Sequence, residues 1–211
     1  MIPSNVTRQL DCADEIRRLC LKNYMRIPTG SRLLAALEGR PYDSNPDAWW
    51  GLYNEERVRE NLSKRMGWEI YNPFAKWELG KVSSQPDAII KNYKPIGEEG
   101  TCEATMEIKC PTNGKLYVRI NTSYYIQCCA EMECYGKRYG IVAVWTPNGC
   151  IVFQVQQSPA AWAFMMQKLN NQIDKATFER AMKLMIQANT TLLYSFVRDD
   201  SPLFVLDDLE Q

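Results

Sequence analysis

Thr101 to Pro111 reads TCEATMEIKCP, and the fold turns on how this stretch is taken. If Glu103 to Lys109 is a strand, its period of two puts Ala104, Met106 and Ile108 on one face and Glu103, Thr105, Glu107 and Lys109 on the other. One side is then core, and the other presents an acid beside a base. Upstream, Ser83-Ser84-Gln85-Pro86-Asp87 supplies a second carboxylate. Asp87, Glu107 and a lysine two residues past the second acid are what a hard divalent cation and a water need to cut a phosphodiester. The carboxylate oxygens hold the cation, and the Lys109 ammonium orients or polarises the attacking water.

Working outward, Asp87 to Ile90 begins the strand before this one. Lys91 to Gly100, with Pro95 and two glycines, makes a long hairpin loop that brings the chain back. Cys110-Pro111 ends the Glu107 strand, since proline cannot donate to a ladder. Lys115, Arg119 and Lys137-Arg138 add positive charge nearby. Asn121 to Tyr135 reads as a helix with Tyr125, Cys128, Cys129 and Met132 packing inward. Gln127 falls between Tyr124 and Glu131 on a neighbouring face, where a solvated glutamine is the competing reading. Tyr139 to Thr146 and Cys150 to Val155 are strongly apolar strands joined at Pro147-Asn148-Gly149, and they form the buried middle of the sheet. Ser158-Pro159 opens a long Met-rich helix to about Thr190, more readily core than a ligand groove, in a C-terminal helical region 158–196 packed on the core. The acidic stretch from Asp199 to Gln211 either covers a surface or stays mobile.

Upstream of Asp87, Trp68 to Tyr71 and Lys76 to Val82 read as short strands. Pro46 opens a helix through about Met66. At about 100° per residue, Gly51, Val58, Leu62 and Met66 share one side of it, with Glu55 in their midst and Glu56 well round towards solvent. A carboxylate inside an apolar stripe needs a partner, and a metal, Lys109 or an arginine would each serve. Residues 4 to 25 read as a helix with a basic end. After it, Arg26 and the turn Pro28-Thr29-Gly30-Ser31 precede a short helix through Leu37. Its N-terminus suits either a phosphate or plain capping.

Composition narrows the chemistry. The 211 residues are 45% hydrophobic and 24% charged, ordinary globular material for a single domain. Lysine plus arginine and aspartate plus glutamate both number 25, so binding to nucleic acid must come from local placement of charge and not from the whole molecule. There is no histidine, which removes Ser-His-Asp and Cys-His catalysis and histidine-containing zinc sites. Eight cysteines include no C-x-x-C pair, so buried free thiols in a reducing compartment are expected, not a zinc ribbon. Without an apolar run of transmembrane length or a signal peptide, the expectation is a soluble, intracellular protein, in the cytoplasm or a host nucleus.

Pro86-Asp87 followed by Glu107-Ile108-Lys109 resembles the PD-(D/E)XK nuclease motif. EIKCP together with the later YYIQCCAEM is similar to the branch that holds phage lambda exonuclease, YqaJ and herpesvirus alkaline nucleases. The resemblance runs from about Thr29 to Val155. It implies an α/β (α+β) restriction-endonuclease-like core, a central mixed sheet flanked by helices, within a single nuclease domain spanning 1–211. It also implies one or two Mg²⁺ or Mn²⁺ ions on Asp87, Glu107, the main-chain carbonyl of Ile108 and, for the second ion, Glu55 of the helical G-x-x-x-E. Gln127 of YYIQ would reach the active site. Ser31 and Arg26 would grip a 5′ phosphate, although the arginine spacing departs from the family's; Ser84, Lys115 and Arg119 complete the substrate-binding set. Where the family has Ser-Pro-Asp, this chain has Gln85-Pro86-Asp87. The implied activity is 5′ to 3′ resection of linear double-stranded DNA in viral or phage-type recombination, alongside a single-strand annealing protein, by a monomer or a homotrimer. The alternatives are a structure-specific or RNA-degrading endonuclease and a non-catalytic nucleic-acid-binding module. Against the last stand Glu55, Asp87, Glu107 and Lys109 together.

Overall fold

A computed structural model describes residues 46–73, 77–79, 82–197 and 203–204. The expected helix at 4–25, the short helix to Leu37 and the phosphate-gripping pair Arg26 and Ser31 lie outside the described residues. The described residues fall into two compact units. One holds 46–57 with Cys110–Asn113; the other holds Val58–Lys109 and Gly114 onward.

Helix α1, Pro46–Met66, begins on a proline whose fixed φ suits the first turn and ends at Gly67, where φ is +66°. Along it Val58 and Leu62 are buried, Gly51, Glu55 and Met66 are half-buried and Glu56 is exposed, as the stripe predicts. Then come β1 (Ile70–Tyr71), β2 (Trp77–Leu79), β3 (Val82–Ser84), β4 (Ala88–Tyr93), β5 (Cys102–Lys109), β6 (Leu116–Tyr117) and helix α2 (Thr122–Tyr135). Strands β7 (Tyr139–Thr146) and β8 (Gly149–Gln156), helices α3 (Pro159–Leu169) and α4 (Lys175–Asn189), and strands β9 (Thr190–Val197) and β10 (Leu203–Phe204) follow.

Six of these strands make a mixed sheet in the order β1-β4-β5-β7-β8-β9. Only β5 and β7 run parallel in it; the other neighbours are antiparallel. A parallel pair needs a crossover, and α2 lies within it. Thr105, Glu107 and Lys109 pair with Gly140, Val142 and Val144, so these six share one face of the sheet. That face carries the main apolar cluster. Val142 and Val144 of β7 and Ile151, Phe153 and Val155 of β8 are gathered with Tyr125, Cys128, Cys129 and Met132 of α2, Ala161 and Met165 of α3, and Met182 and Ile186 of α4.

The close seating of α2 depends on Gly140. A Cβ at that position would lie 2.3 Å from Cys128 Sγ, 3.0 Å from Thr105 Oγ1 and 3.2 Å from Met132 Cγ. Asn121 caps the start of α2 by accepting from the Ser123 N–H at 2.7 Å, and Gly136, with φ +60°, ends it.

Four expectations change. The strand expected at Lys76–Val82 is two, β2 and β3, paired antiparallel as a small hairpin. The long helix expected from Ser158 to about Thr190 is two helices. Asn170 caps the first, Asn171 takes a left-handed φ of 58°, and Asp174 caps the second by accepting from Thr177 at 2.9 Å. The region from Thr190 to Val197 is strand β9 on the sheet edge, where the run TTLLYSFV has the β-branched and aromatic residues that suit a pleated surface. Finally, the acid-and-base face of β5 is not a half-exposed one. Thr105 and Glu107 are as buried as Ala104, Met106 and Ile108, because α2 lies over them.

Candidate active site

The register of β4 and β5 places the two acids together. One step beyond the Ala88–Met106 pair, Asp87 stands opposite Glu107. Its Oδ2 accepts the main-chain N–H of Ile108 at 2.7 Å, which ties the carboxylate to the strand that carries the second acid. The two therefore meet at the same end and on the same side of the sheet.

Glu107 is 2% exposed, and its Oε1 accepts from the Lys109 ammonium and from Gln127 Nε2, the latter at 2.5 Å. Lys109 Nζ also lies 5.6 Å from the ring centre of Tyr124. Burial alone would lower the pKa of Lys109. The charge and hydrogen bond of Glu107, joined by the charges of Asp87 and Glu131, outweigh it and hold the ammonium above the ordinary lysine value. At neutral pH this lysine is a cation, not a free base.

A third acid belongs to the cluster. Glu131, one turn after Gln127 on α2, is wholly buried, and its Oε1 accepts from Gln127 Nε2 at 3.0 Å. Burial, then the charge and hydrogen-bonding proximity of Glu107, then the charge of Asp87, push its carboxyl well above the usual carboxylate range, against the Gln127 donation. The sequence reading noted Glu131 only as a flank of Gln127. The signal available was the i, i+4 spacing of Gln127 and Glu131 beside the inward Cys128 and Met132.

Glu107 Oε2 and Glu131 Oε2 are both buried without a hydrogen-bond donor. Acceptors of this kind call for a cation or a shared proton, so the donor set fits a hard divalent metal. Among the described residues no three His, Cys, Asp or Glu side chains gather closely enough to hold a metal by themselves. A Mg²⁺ ion does not need them to, since it commonly takes one or two carboxylates and completes its shell with water and substrate phosphate oxygens.

The other expected residues lie as follows. Glu55 is half-buried on α1 in the other compact unit, with its Oε1 3.6 Å from the position of a Cβ on Gly51. Ser84, half-buried, ends β3, and its backbone engages the Cys134 thiol of α2. Lys115 and Arg119 are exposed on either side of β6. Ile108 is buried in mid-ladder. The structure thus brings together Asp87, Glu107, Ile108, Lys109 and Gln127, adds Glu131, and leaves Lys115 and Arg119 on the surface.

No protein-family model matches the chain, and no curated protein matches it. Solved structures similar to it include an alkaline exonuclease, LHK-Exo from Laribacter hongkongensis, at 14% identity and TM-score 0.46, over 86% of this chain and 93% of that one. The same enzyme in complex with dAMP is similar at 15% identity and TM-score 0.46, over 74% and 78%. Among the described residues no helix is long and apolar enough to cross a membrane.

Proposed function

We propose that this chain is a metal-dependent nuclease that hydrolyses phosphodiester bonds, working as a 5′ to 3′ exonuclease on linear double-stranded DNA in a viral or phage-type recombination pathway. The observation that carries the reading is the convergence of Asp87, Glu107, Lys109 and Gln127, from two strands and a crossover helix, around carboxylate oxygens that lack donors. A buried carboxylate with an unmade bond costs stability, so a site that holds two such oxygens is suited to an added cation.

Asp87, Glu107 and the Ile108 carbonyl would hold a first Mg²⁺ or Mn²⁺, and Glu55 would join for a second. When bound, the metal supplies charge that activates water and offsets the negative charge growing on the phosphate. The chain's own groups do the rest. Lys109, kept charged by Glu107, fixes the attacking water and adds positive charge beside the phosphoryl oxygens. Gln127 restrains the Glu107 carboxylate, so that its second oxygen stays directed into the site. Ser31 and Arg26 would take a 5′ phosphate and set polarity, with Ser84, Lys115 and Arg119 along the path of the strand. A single-strand annealing protein would receive the product, and a homotrimer would enclose the duplex.

The test is a time course on 5′-phosphorylated linear, 5′-hydroxyl linear and covalently closed circular DNA, with and without Mg²⁺. Mg²⁺-dependent release from linear DNA, faster with the 5′ phosphate and absent on the circle, is expected. Cutting of the circle or of RNA would make the enzyme an endonuclease, and binding without any cutting would make it a non-catalytic module.

A further inference from the structure

The proposed chemistry leaves one buried ionisable group without a task. Glu131 is 0% exposed, and its Oε2 has no donor. As a purely structural residue it is a poor fit, because an apolar side chain of similar length would remove both the burial cost and the unmade bond. What it contacts are Glu107, through a shared proton, and Gln127. The amide nitrogen of Gln127 lies 2.5 Å from Glu107 Oε1 and 3.0 Å from Glu131 Oε1. The NH₂ end of the carboxamide faces both acids, and both of its protons are taken. The carbonyl Oε1 is the polar atom left over, and it accepts no hydrogen bond from a described residue.

We propose that Glu131 is the positioning residue of the site: by accepting the second amide proton of Gln127, it fixes that carboxamide with its nitrogen on Glu107 and its carbonyl offered to the attacking water. The assignment rests on the nuclease reading. Glu131 itself touches neither water nor substrate in this scheme and acts through Gln127. An amide at 131 keeps the acceptor for Gln127 and adds a donor for the bare Glu107 oxygen. A thioether keeps the bulk and loses the acceptor.

The experiment therefore compares Glu131→Met with Glu131→Gln. In steady-state hydrolysis of linear duplex DNA with Mg²⁺, E131M should lose roughly ten- to a hundredfold in kcat with little change in KM, and E131Q should regain most of it. Made in a Gln127→Ala background, E131M should cost almost nothing further, since its route is gone. In metal-free protein, both Gln127 side-chain amide protons should be shifted from free-carboxamide positions and slow to exchange in wild type and E131Q, and the one facing position 131 should move to the free-carboxamide position in E131M. Unchanged Gln127 signals in E131M overturn the proposal whatever the activity, as does full E131M activity or an undiminished E131M loss beside Q127A. Wild-type protein that cleaves nothing sinks the nuclease reading, and the amide signals then decide the positioning separately. Should E131M not fold, Glu131→Asp, which draws the acceptor back by one methylene, must show the same loss of kcat and the same amide-proton shift; wild-type values there refute it.

Discussion

Two buried polar clusters sit on opposite faces of the same sheet, and they are built to different standards. On one face, Gln154 of β8 is 5% exposed, and its carbonyl accepts from the Tyr93 hydroxyl and from the Ile96 N–H at 3.0 Å. Its carbonyl is thus met twice, and Tyr93 packs edge-on against Trp68 with ring centres 6.0 Å apart. On the other, Lys109 and Gln127 serve only the Oε1 atoms of Glu107 and Glu131, and the two Oε2 atoms are left with at most a proton between them. A polar group that only has to be buried is satisfied by its neighbours; one that awaits a ligand is left short. That inequality, more than the motif lettering, separates structure from chemistry here.

The largest effect should come from the unsatisfied cluster. Asp87→Asn and Lys109→Ala should each lower Mg²⁺-dependent nucleotide release by on the order of 10²–10³-fold or more while the circular dichroism and melting curves stay those of a folded protein. Undiminished release from either variant would remove that residue from the reading. Glu107→Gln sharpens the contrast: it should abolish release yet leave the metal-free protein at least as stable as wild type, because an amide can meet an acceptor that a carboxylate cannot.

The matched cluster should behave in the opposite way. Gln154→Leu strands the Tyr93 hydroxyl and the Ile96 N–H, so a loss of about 1–3 kcal/mol in denaturant unfolding is expected, with activity per folded molecule unchanged. A Gln154 variant that melts normally but cannot cut would erase the distinction. Gly140→Ala tests the seating of the helix that carries the site. With a Cβ 2.3 Å from a sulfur, a destabilisation of about 1–3 kcal/mol should appear, with a fall in kcat as Gln127 and Glu131 are displaced.

The smallest effect concerns alkaline pH. Burial pushes the Cys129 thiol up to about 12, against a hydrogen bond from Tyr125, and burial likewise pushes Cys150 up to about 12, against the charge of Arg65. In the unfolded chain these thiols ionise near their ordinary value, about 8.5. Their contribution is thus intact below that pH and is lost as pH climbs from there to about 12, the native state then holding protons that the unfolded state has released. Each should steepen the fall by at most about 1.4 kcal/mol per pH unit. Cys150→Ala should flatten this limb, and a slope unchanged in the variant would show the thiol to be open to solvent.

Much of this was legible in the sequence for reasons that are local. The alternation of β5, the proline after it, the Asn121 and Gly136 ends of α2 and the Pro46 start of α1 all act within a few residues. Pairing Asp87 with Glu107 needed only a hairpin. What escaped was tertiary. Glu107 looked half-exposed because nothing in Glu103 to Lys109 announces that a helix will lie on it; the announcement is Gly140, three dozen residues on, whose missing side chain makes the room. Glu131 was no more than a flank of Gln127 for the same cause. Helices α3 and α4 were read as one because methionine and leucine continue on both sides of the break made by Asn170, Asn171 and Asp174, and β9 was hidden in the same helical reading.

The parallel pairing of β5 with β7 has a temporal consequence. Antiparallel neighbours zip from a turn, whereas β5 and β7 can join only after the whole intervening crossover has been made and docked, a non-local closure that is intrinsically slow. Glu107 and Lys109 ride on one partner of that pair, and Gln127 and Glu131 ride on the connection. During synthesis Asp87, Glu107 and Lys109 can gather on the hairpin, but Gln127 and Glu131 are held over them only once the ribosome has released the chain past Thr146, so a half-made copy has one half of the cluster without the other.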